Sequence, residues 1–178
     1  SVHRAIDLGI TLFDVAPYYG RTKAESVLGE ALVGLRDRVV LCSKVGRYGK
    51  DDFDFSPERV LSGLEDSLRR LKTDRLDLVI MHDVEFRPLG PIIEQTVPAL
   101  MKAKAQGKVR AVGVSGLPLA ALKTVVEAAE LDFVLSYCHY TLNDRNLASV
   151  TAPIARAKGM GIINAAPLAM GGTPWPAT

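Results

Sequence analysis

Four kinds of polar residue stand where apolar runs end, and together they suit proton transfer at an oxygen atom. Asp14, Tyr18 and Tyr19 follow one such run, Lys44 ends a second, and His82 ends a third. An ammonium group beside a tyrosine favours the phenolate, and a carboxylate paired with the lysine keeps that lysine charged. Such a tyrosine can exchange a proton with an alcohol or carbonyl oxygen that a histidine orients. This set of groups suits reversible hydride transfer between a carbonyl compound and a redox cofactor.

Each of these residues also has a simpler interpretation when it is taken alone. Asp14 can be a helix cap or a loop acid, Lys44 a surface charge, and His82 a core histidine with satisfied hydrogen bonds. Their occurrence at three successive predicted strand ends favours a shared site. Spacing alone does not choose between Tyr18 and Tyr19 as the proton-transfer residue.

The chain alternates between apolar runs and amphipathic segments. Strands are predicted over residues 9–15, 38–45, 76–82, 109–115, 131–137 and 160–167. Helices are predicted over residues 24–35, 56–72, part of 91–106, 118–130 and 146–159, with weak points at Pro98 and Pro153. Because the strands are apolar throughout, we expect them to be parallel and buried on both faces.

Alternating strands and helices form either a doubly wound sheet or a (β/α)8 TIM barrel. The chain has no G-x-G-x-x-G and no P-loop pattern, so a barrel is favoured. A barrel of eight strands takes about 250 residues, whereas six strand–helix units are predicted in these 178 residues. We therefore expect residues 1–178 to be one partial barrel domain. It is either a piece of a longer chain or completed by a partner chain that covers the open sheet edges.

Composition narrows the function classes further. Apolar residues make up 48% of the chain and charged residues 24%, with a formal net charge of +2 and no block of like charges, which argues against a nucleic-acid surface. No apolar run approaches the roughly 18 residues of a membrane span. Cys42 and Cys138 lie far apart and not in a metal-binding spacing, so we expect no metal site, free thiols and a cytoplasmic location.

Three motifs resemble those of the aldo-keto reductase family, in the family's order. In this chain, FDVAPYYG at 13–20 resembles the family's aspartate signature. LCSKVG at 41–46 resembles its lysine segment, and VIMHD at 79–83 resembles its histidine segment. In that signature the catalytic tyrosine stands five residues after the aspartate, which here is Tyr19. The resemblance covers nearly the whole chain and implies a TIM barrel that uses NAD or NADP.

The implied catalytic tetrad consists of Asp14, Tyr19, Lys44 and His82. Four further stretches are similar to the plant-type L-galactose dehydrogenase branch of the family: FDFSPERV, TVPALMKAKAQGKVRAVGVSGLPL, LSYCHYTLND and APLAMG. That branch oxidises the anomeric carbon of L-galactose to the lactone with NAD, on the route to ascorbate. On this resemblance, Tyr19 is the base that removes the hydroxyl proton.

The resemblance also implies where the ligands bind. We expect the sugar to contact Tyr18, His82 and Asp83, and the cofactor to contact the following residues: Ser115, Ala165, Ala166, Pro167 and Leu168.

Some family features are changed or missing in this chain. Many members have Ser-Asn where this chain has Ser115-Gly116, which removes a side-chain contact to the nicotinamide carboxamide. Many also have Tyr-Ser-Pro-Leu where this chain has Ala165-Ala166-Pro167-Leu168. The family's segment for the adenosine phosphate follows the last barrel strand and has no counterpart here, so the choice between NAD and NADP stays open.

The departures motivate an alternative function. A protein that keeps this fold as a structural or interaction subunit would need neither the cofactor nor a working tetrad. The count of six strands and the alanine at position 166 favour this alternative, in which a partner chain covers the open edges.

Overall fold

A single parallel sheet organises residues 1–171, which are the residues that the computed structural model describes. Its strands are hydrogen-bonded in chain order: β1 (Leu12–Asp14), β2 (Val40–Val45), β3 (Leu76–Met81), β4 (Val109–Gly116), β5 (Phe133–Tyr137) and β6 (Gly161–Ala165). This half-barrel of six parallel strands confirms the predicted α/β barrel class. Residues 172–178, most of the glycine- and proline-rich tail, lie outside the described part of the chain.

Helices connect the strands along the chain. They are α1 (Val2–Asp7), α2 (Lys23–Ala31), α3 (Pro57–Leu71), α4 (Leu89–Pro91), α5 (Val97–Ala105), α6 (Leu119–Ala128), α7 (Asn146–Val150) and α8 (Ala152–Ala157). Helix α3 has a well-defined start, because the Ser56 hydroxyl accepts the backbone N–H of Arg59 and Pro57 occupies the first helical position. None of the helices in residues 1–171 is both long and apolar enough to cross a membrane.

Two prolines interrupt helices at the predicted weak points. A π-helical segment, Ile92–Thr96, runs directly into α5, and Pro98, the second residue of α5, has no N–H to bond a carbonyl of that preceding segment. The segment predicted as one helix over 146–159 is divided at Thr151 into α7 and α8, with Pro153 in the first turn of α8.

The sheet has two apolar faces of unequal size. The outer face packs against the helices in one large core that includes Leu41, Val79 and Val112. The inner face carries a smaller cluster of Cys42, Ile80, Phe133 and Leu135. Gly113 of β4 makes room for this cluster, because a Cβ atom there would lie 2.5 Å from the ring of Phe133.

The two edge strands depart from the prediction that every strand is buried on both faces. Leu12 of β1 is 44% exposed and Ile162 of β6 is 36% exposed, whereas β2 to β5 are mostly buried. Each edge strand pairs with one neighbour only among the described residues, and both are shorter than predicted. The prediction of burial is therefore wrong for the edge strands, since it assumed neighbours on both sides.

Candidate active site

A cleft of about 450 Å³ opens at the carboxyl ends of the strands. Because parallel strands all end at the same edge of the sheet, polar residues far apart in the chain meet there. The polar groups and alanines that line the cleft are Asp14, Tyr18, Tyr19, Lys44, Arg47, His82, Asp83, Glu85, Ser115, Tyr137, Ala165 and Ala166.

Lys44, the next-to-last residue of β2, is a buried cation at the floor of this cleft. Its side chain is 2% exposed, and its Nζ donates to Asp14 Oδ1 at 2.7 Å and to the Val15 carbonyl oxygen at 2.9 Å. Burial lowers the pKa of Lys44, but the attraction of the Asp14 carboxylate opposes burial and leaves the pKa above its usual value. The lysine is therefore charged at neutral pH.

The structure separates the two tyrosines that spacing leaves equivalent. The Nζ atom of Lys44 lies 4.6 Å from the ring centroid of Tyr19, and the Tyr19 ring meets the His82 ring edge to face at 6.0 Å between centroids. Tyr18 instead stacks on the guanidinium of Arg47, 4.0 Å from its ring centroid. Tyr19 is therefore the tyrosine that shares its surroundings with Lys44 and His82, together with Asp14.

His82 follows β3 and is buried, with 7% of its surface exposed. Burial is the main reason that its pKa falls to about 4, and the positive charges of Lys44 and Arg47 lower it further against the opposing charge of Asp83. Its Nε2 lies 3.5 Å from Asp83 Oδ2, while its Nδ1 is buried with no hydrogen-bond partner among the described residues. His82 is thus a neutral imidazole at neutral pH.

Asp83 is held by protein groups on two sides. Its Oδ2 pairs with Arg47 Nη1 at 2.5 Å and its Oδ1 accepts the hydroxyl of Tyr137 at 3.0 Å. Burial and the Asp83 carboxylate raise the pKa of Tyr137 well above its usual range. Asp83, a predicted sugar contact, lines the cleft but is only 3% exposed, and both of its carboxylate oxygens already have partners in the protein.

Arg47 was not predicted as a site residue. It lies three residues after Lys44, in a loop whose Arg47 and Phe53 pair across a short antiparallel bridge. Its guanidinium packs over the rings of Tyr18, Phe53 and Phe86, and the two phenylalanines stack at 4.4 Å between centroids. The only signal in the sequence is an arginine close to several aromatic residues, which is too common to indicate a site.

Glu25 of α2 is a second residue that the sequence interpretation missed. It is fully buried, and its carboxylate accepts the Ser43 hydroxyl at 2.5 Å and the Arg70 Nε at 2.7 Å. Because Ser43 precedes Lys44, this contact fixes the helix that follows Tyr19 against the strand that carries Lys44. The sequence signal that indicates a buried carboxylate here is a glutamate on the buried face of α2, three residues before Leu28.

The residues predicted to bind a cofactor are only partly brought together. Ser115 is 1% exposed, and its hydroxyl is 3.5 Å from the Met81 carbonyl oxygen. Ala165 and Ala166 line the cleft. Pro167 and Leu168 continue onto the surface, where Leu168 is 74% exposed.

The chain is similar to known proteins over nearly its whole described length. The family model described as the aldo/keto reductase family matches residues 1–174. L-galactose dehydrogenase of Arabidopsis thaliana is 44% identical over 177 residues, covering 96% of this chain and 55% of the relative. D-arabinose 1-dehydrogenase of Saccharomyces cerevisiae is 35% identical over 180 residues, covering 93% of this chain and 53% of the relative. The chain thus spans about half the length of these curated relatives.

Solved structures show the same fold. The holo form of an aldo-keto reductase from Bacillus halodurans superposes with a TM-score of 0.83 at 27% identity, covering 98% of this chain and 59% of that chain. An aldo/keto reductase from Klebsiella pneumoniae, in complex with NADP and acetate, superposes with a TM-score of 0.76 at 32% identity. The overlap covers 97% of this chain and 58% of that chain.

Proposed function

Because the chain belongs to the aldo/keto reductase family, as the match over residues 1–174 shows, we propose that it oxidises L-galactose at the anomeric carbon to the lactone. The observation that carries this proposal is the position of Lys44 Nζ, 2.7 Å from Asp14 and 4.6 Å from the ring centroid of Tyr19. The relatives from Arabidopsis and yeast, named as dehydrogenases of L-galactose and D-arabinose, support a sugar as the substrate.

A nicotinamide cofactor, NAD or NADP, fits the residues on one wall of the cleft. Ala165 and Ala166 offer small apolar side chains against which a planar ring can lie, beside the buried hydroxyl of Ser115. The relative from Klebsiella, solved with NADP, supports a cofactor of this kind. When bound, the nicotinamide ring supplies the hydride acceptor for the oxidation.

The chain's own residues handle the proton. We infer that Tyr19, as a phenolate, removes the proton of the anomeric hydroxyl while the hydride leaves the same carbon. The buried ammonium of Lys44 stabilises the negative charge on Tyr19 before it takes the proton, and Asp14 keeps Lys44 charged and in place. Tyr19 adds to the attraction of Asp14 that raises the pKa of Lys44.

His82 orients the sugar oxygen. Since its pKa is about 4, it is neutral at neutral pH and acts as a hydrogen-bonding group rather than as a charge. Tyr18, half-buried beside Arg47 at the cleft, can contact the remainder of the sugar. Asp83 acts on the substrate through the groups that it holds, because its oxygens already bond to Arg47 and Tyr137.

The test is formation of reduced nicotinamide by the full-length natural protein with L-galactose, for a Tyr19→Phe variant and a matched Tyr18→Phe control. Loss of the proton acceptor at Tyr19 is expected to lower kcat by about a thousandfold. Tyr18 is proposed to contact the sugar and not to transfer the proton, so the same loss of a hydroxyl there is expected to act on KM and to change kcat by less than about threefold. Equal activity of the two variants would remove Tyr19 from the role proposed for it.

The interaction-subunit alternative rests on the exposed edge strands β1 and β6, where Leu12 is 44% exposed and Ile162 is 36% exposed. It predicts a folded natural protein that binds neither NAD nor NADP and that is recovered with a partner chain. Cofactor binding with turnover of the sugar would exclude it.

A further inference from the structure

Glu85 presents an unpartnered carboxylate oxygen at the wall of the cleft. Its Oε1 accepts the backbone N–H of Leu117 at 2.9 Å, which holds the side chain across the end of β4. Its Oε2 is buried and has no hydrogen-bond partner among residues 1–171. A buried acceptor without a donor is costly for the protein alone, and a ligand that brings an N–H or O–H group removes that cost.

Gly116 gives this oxygen its position. A Cβ atom at residue 116 would lie 2.7 Å from Glu85 Oε2, so any other residue would push the carboxylate away. Gly116 is the last residue of β4 and directly follows the buried Ser115. The glycine and the glutamate therefore form one feature, in which a carboxylate occupies the space that a side chain on β4 would otherwise fill.

The surroundings of Glu85 keep the carboxylate in place. It lies in the 3₁₀ turn Val84–Phe86, directly after Asp83, whose backbone is left-handed with φ of +57°. The Asp83 carboxylate is held by Arg47 and Tyr137, so the start of this turn is tied to the loop after β2 and to β5. The Glu85 carboxylate is fixed by its contact with the Leu117 N–H and by its turn, so it is preorganised to accept a hydrogen bond from one direction.

We propose that Glu85 accepts a hydrogen bond from the carboxamide NH2 group of the nicotinamide ring, an inference that rests on the proposed function. The proton-transfer residues come from β1 to β3, whereas Glu85 Oε2 lies against the end of β4, next to Ser115. A ring that accepts a hydride beside Tyr19 needs a second anchor on the ring to fix which of its faces meets the sugar. The carboxamide is the only N–H donor on that ring, and Glu85 supplies the acceptor that it needs.

The test measures binding rather than turnover, in the full-length natural protein, by calorimetry. Two oxidised dinucleotides are compared: NAD and its 3-acetylpyridine analogue, in which a methyl ketone replaces the carboxamide and removes the N–H. In a Glu85→Gln variant the amide oxygen can still accept the Leu117 N–H, but an NH2 group replaces the free acceptor. Because both dinucleotides carry the same positive ring, any effect of the lost charge is common to both, and the difference isolates the amide contact.

The Glu85→Gln change is expected to weaken NAD binding about tenfold more than binding of the acetylpyridine analogue. A Gly116→Ala variant, which displaces the carboxylate without removing it, is expected to weaken NAD binding in the same direction. Glu130→Gln is the matched control, since that side chain is 88% exposed, and it should bind both dinucleotides as the wild type does.

Equal losses for the two dinucleotides, or unchanged NAD binding in Glu85→Gln, would overturn the inference and leave the proposed function standing. A change confined to the affinity for L-galactose would also overturn it, because the oxygen would then accept a sugar hydroxyl. Failure of the folded wild type to bind either dinucleotide would instead remove the proposed function, and the inference with it.

Discussion

Two ion pairs stand on either side of His82, and they are built in opposite ways. In the pair on β2 and β1 the cation is buried, since Lys44 is 2% exposed and Asp14 is 37% exposed. In the other pair the anion is buried, since Asp83 is 4% exposed and Arg47 is 19% exposed. One cleft therefore contains a buried positive charge and a buried negative charge within reach of the same imidazole.

Each buried charge has a tyrosine beside it, and the two tyrosines differ accordingly. Tyr19 lies against the Lys44 ammonium, which stabilises a phenolate. Tyr137 donates its hydroxyl to the Asp83 carboxylate, and burial together with that carboxylate raises the pKa of Tyr137 well above its usual range. Under the proposed function, this charge placement assigns proton exchange to Tyr19, whereas Tyr137 holds a carboxylate in position.

The largest expected effect comes from removing the cation of each pair. Arg47→Met leaves the buried Asp83 carboxylate without its ion partner, so the free energy of unfolding is expected to fall by about 3 to 5 kcal/mol. Lys44→Met removes a buried charge and leaves Asp14 in contact with water, so it is expected to change the free energy of unfolding by roughly 1 kcal/mol or less. Urea unfolding of the two variants beside the wild type measures both changes.

The activities of the same two variants are expected in the reverse order. Lys44→Met removes the charge that stabilises the Tyr19 phenolate, and kcat should fall by about a hundred- to a thousandfold. Arg47→Met should retain more of kcat at a temperature where it is folded. Two variants that lose stability and kcat in parallel would show that the two pairs do not differ in the way their burial indicates.

The second prediction concerns the imidazole between the pairs. The pKa of His82 is about 4 in the folded protein, against an ordinary value of 6.5 that applies when the chain is unfolded. Between about pH 6.5 and pH 4, His82 binds a proton in the unfolded chain but not in the folded protein. The free energy of unfolding therefore falls as the pH falls through this range. The loss attributable to His82 is roughly 3 kcal/mol, and it is complete below about pH 4.

A His82→Gln variant isolates this contribution from that of the carboxylates. The difference in the free energy of unfolding between wild type and variant, measured by urea unfolding, should shift by that amount between pH 7 and pH 4. A constant difference would mean that the two ion pairs cancel the effect of burial on His82.

The residues proposed for proton transfer could be brought together from the sequence because each is marked by its place in the chain. Asp14, Lys44 and His82 stand at or just after strand ends, and the alternation of strands and helices already places such ends together. Spacing left Tyr18 and Tyr19 equivalent, and only the family resemblance favoured Tyr19, since the choice between them depends on a contact with Lys44. Neighbouring residues in one loop point to different partners, which spacing does not reveal.

The second ion pair could not be predicted, because Arg47 lies in a loop after β2 and not at a strand end. Arg47 and Asp83 are separated by 36 positions, and Tyr137 and Asp83 by 54. No local pattern connects them, and only the side-by-side order of the strands brings them into contact. The same reason applies to Glu25 and Arg70, which are 45 positions apart. Helices and strands can thus be predicted from periodicity, whereas the side-chain contacts that set the charges of the cleft depend on tertiary packing.

The smallest expected effect separates the two tyrosines. Tyr137→Phe removes one hydrogen bond to a buried carboxylate that Arg47 still pairs, so the free energy of unfolding should fall by about 1 to 3 kcal/mol. Because this hydroxyl stays protonated, kcat should change by less than about threefold, in contrast to the loss expected for Tyr19→Phe. The decisive measurement is the pair of kcat values for the two Tyr→Phe variants, under conditions where circular dichroism shows both to be folded. A loss of kcat in Tyr137→Phe as large as that in Tyr19→Phe would mean that proton transfer runs through both phenols, and that the buried carboxylate does not hold Tyr137 out of the reaction.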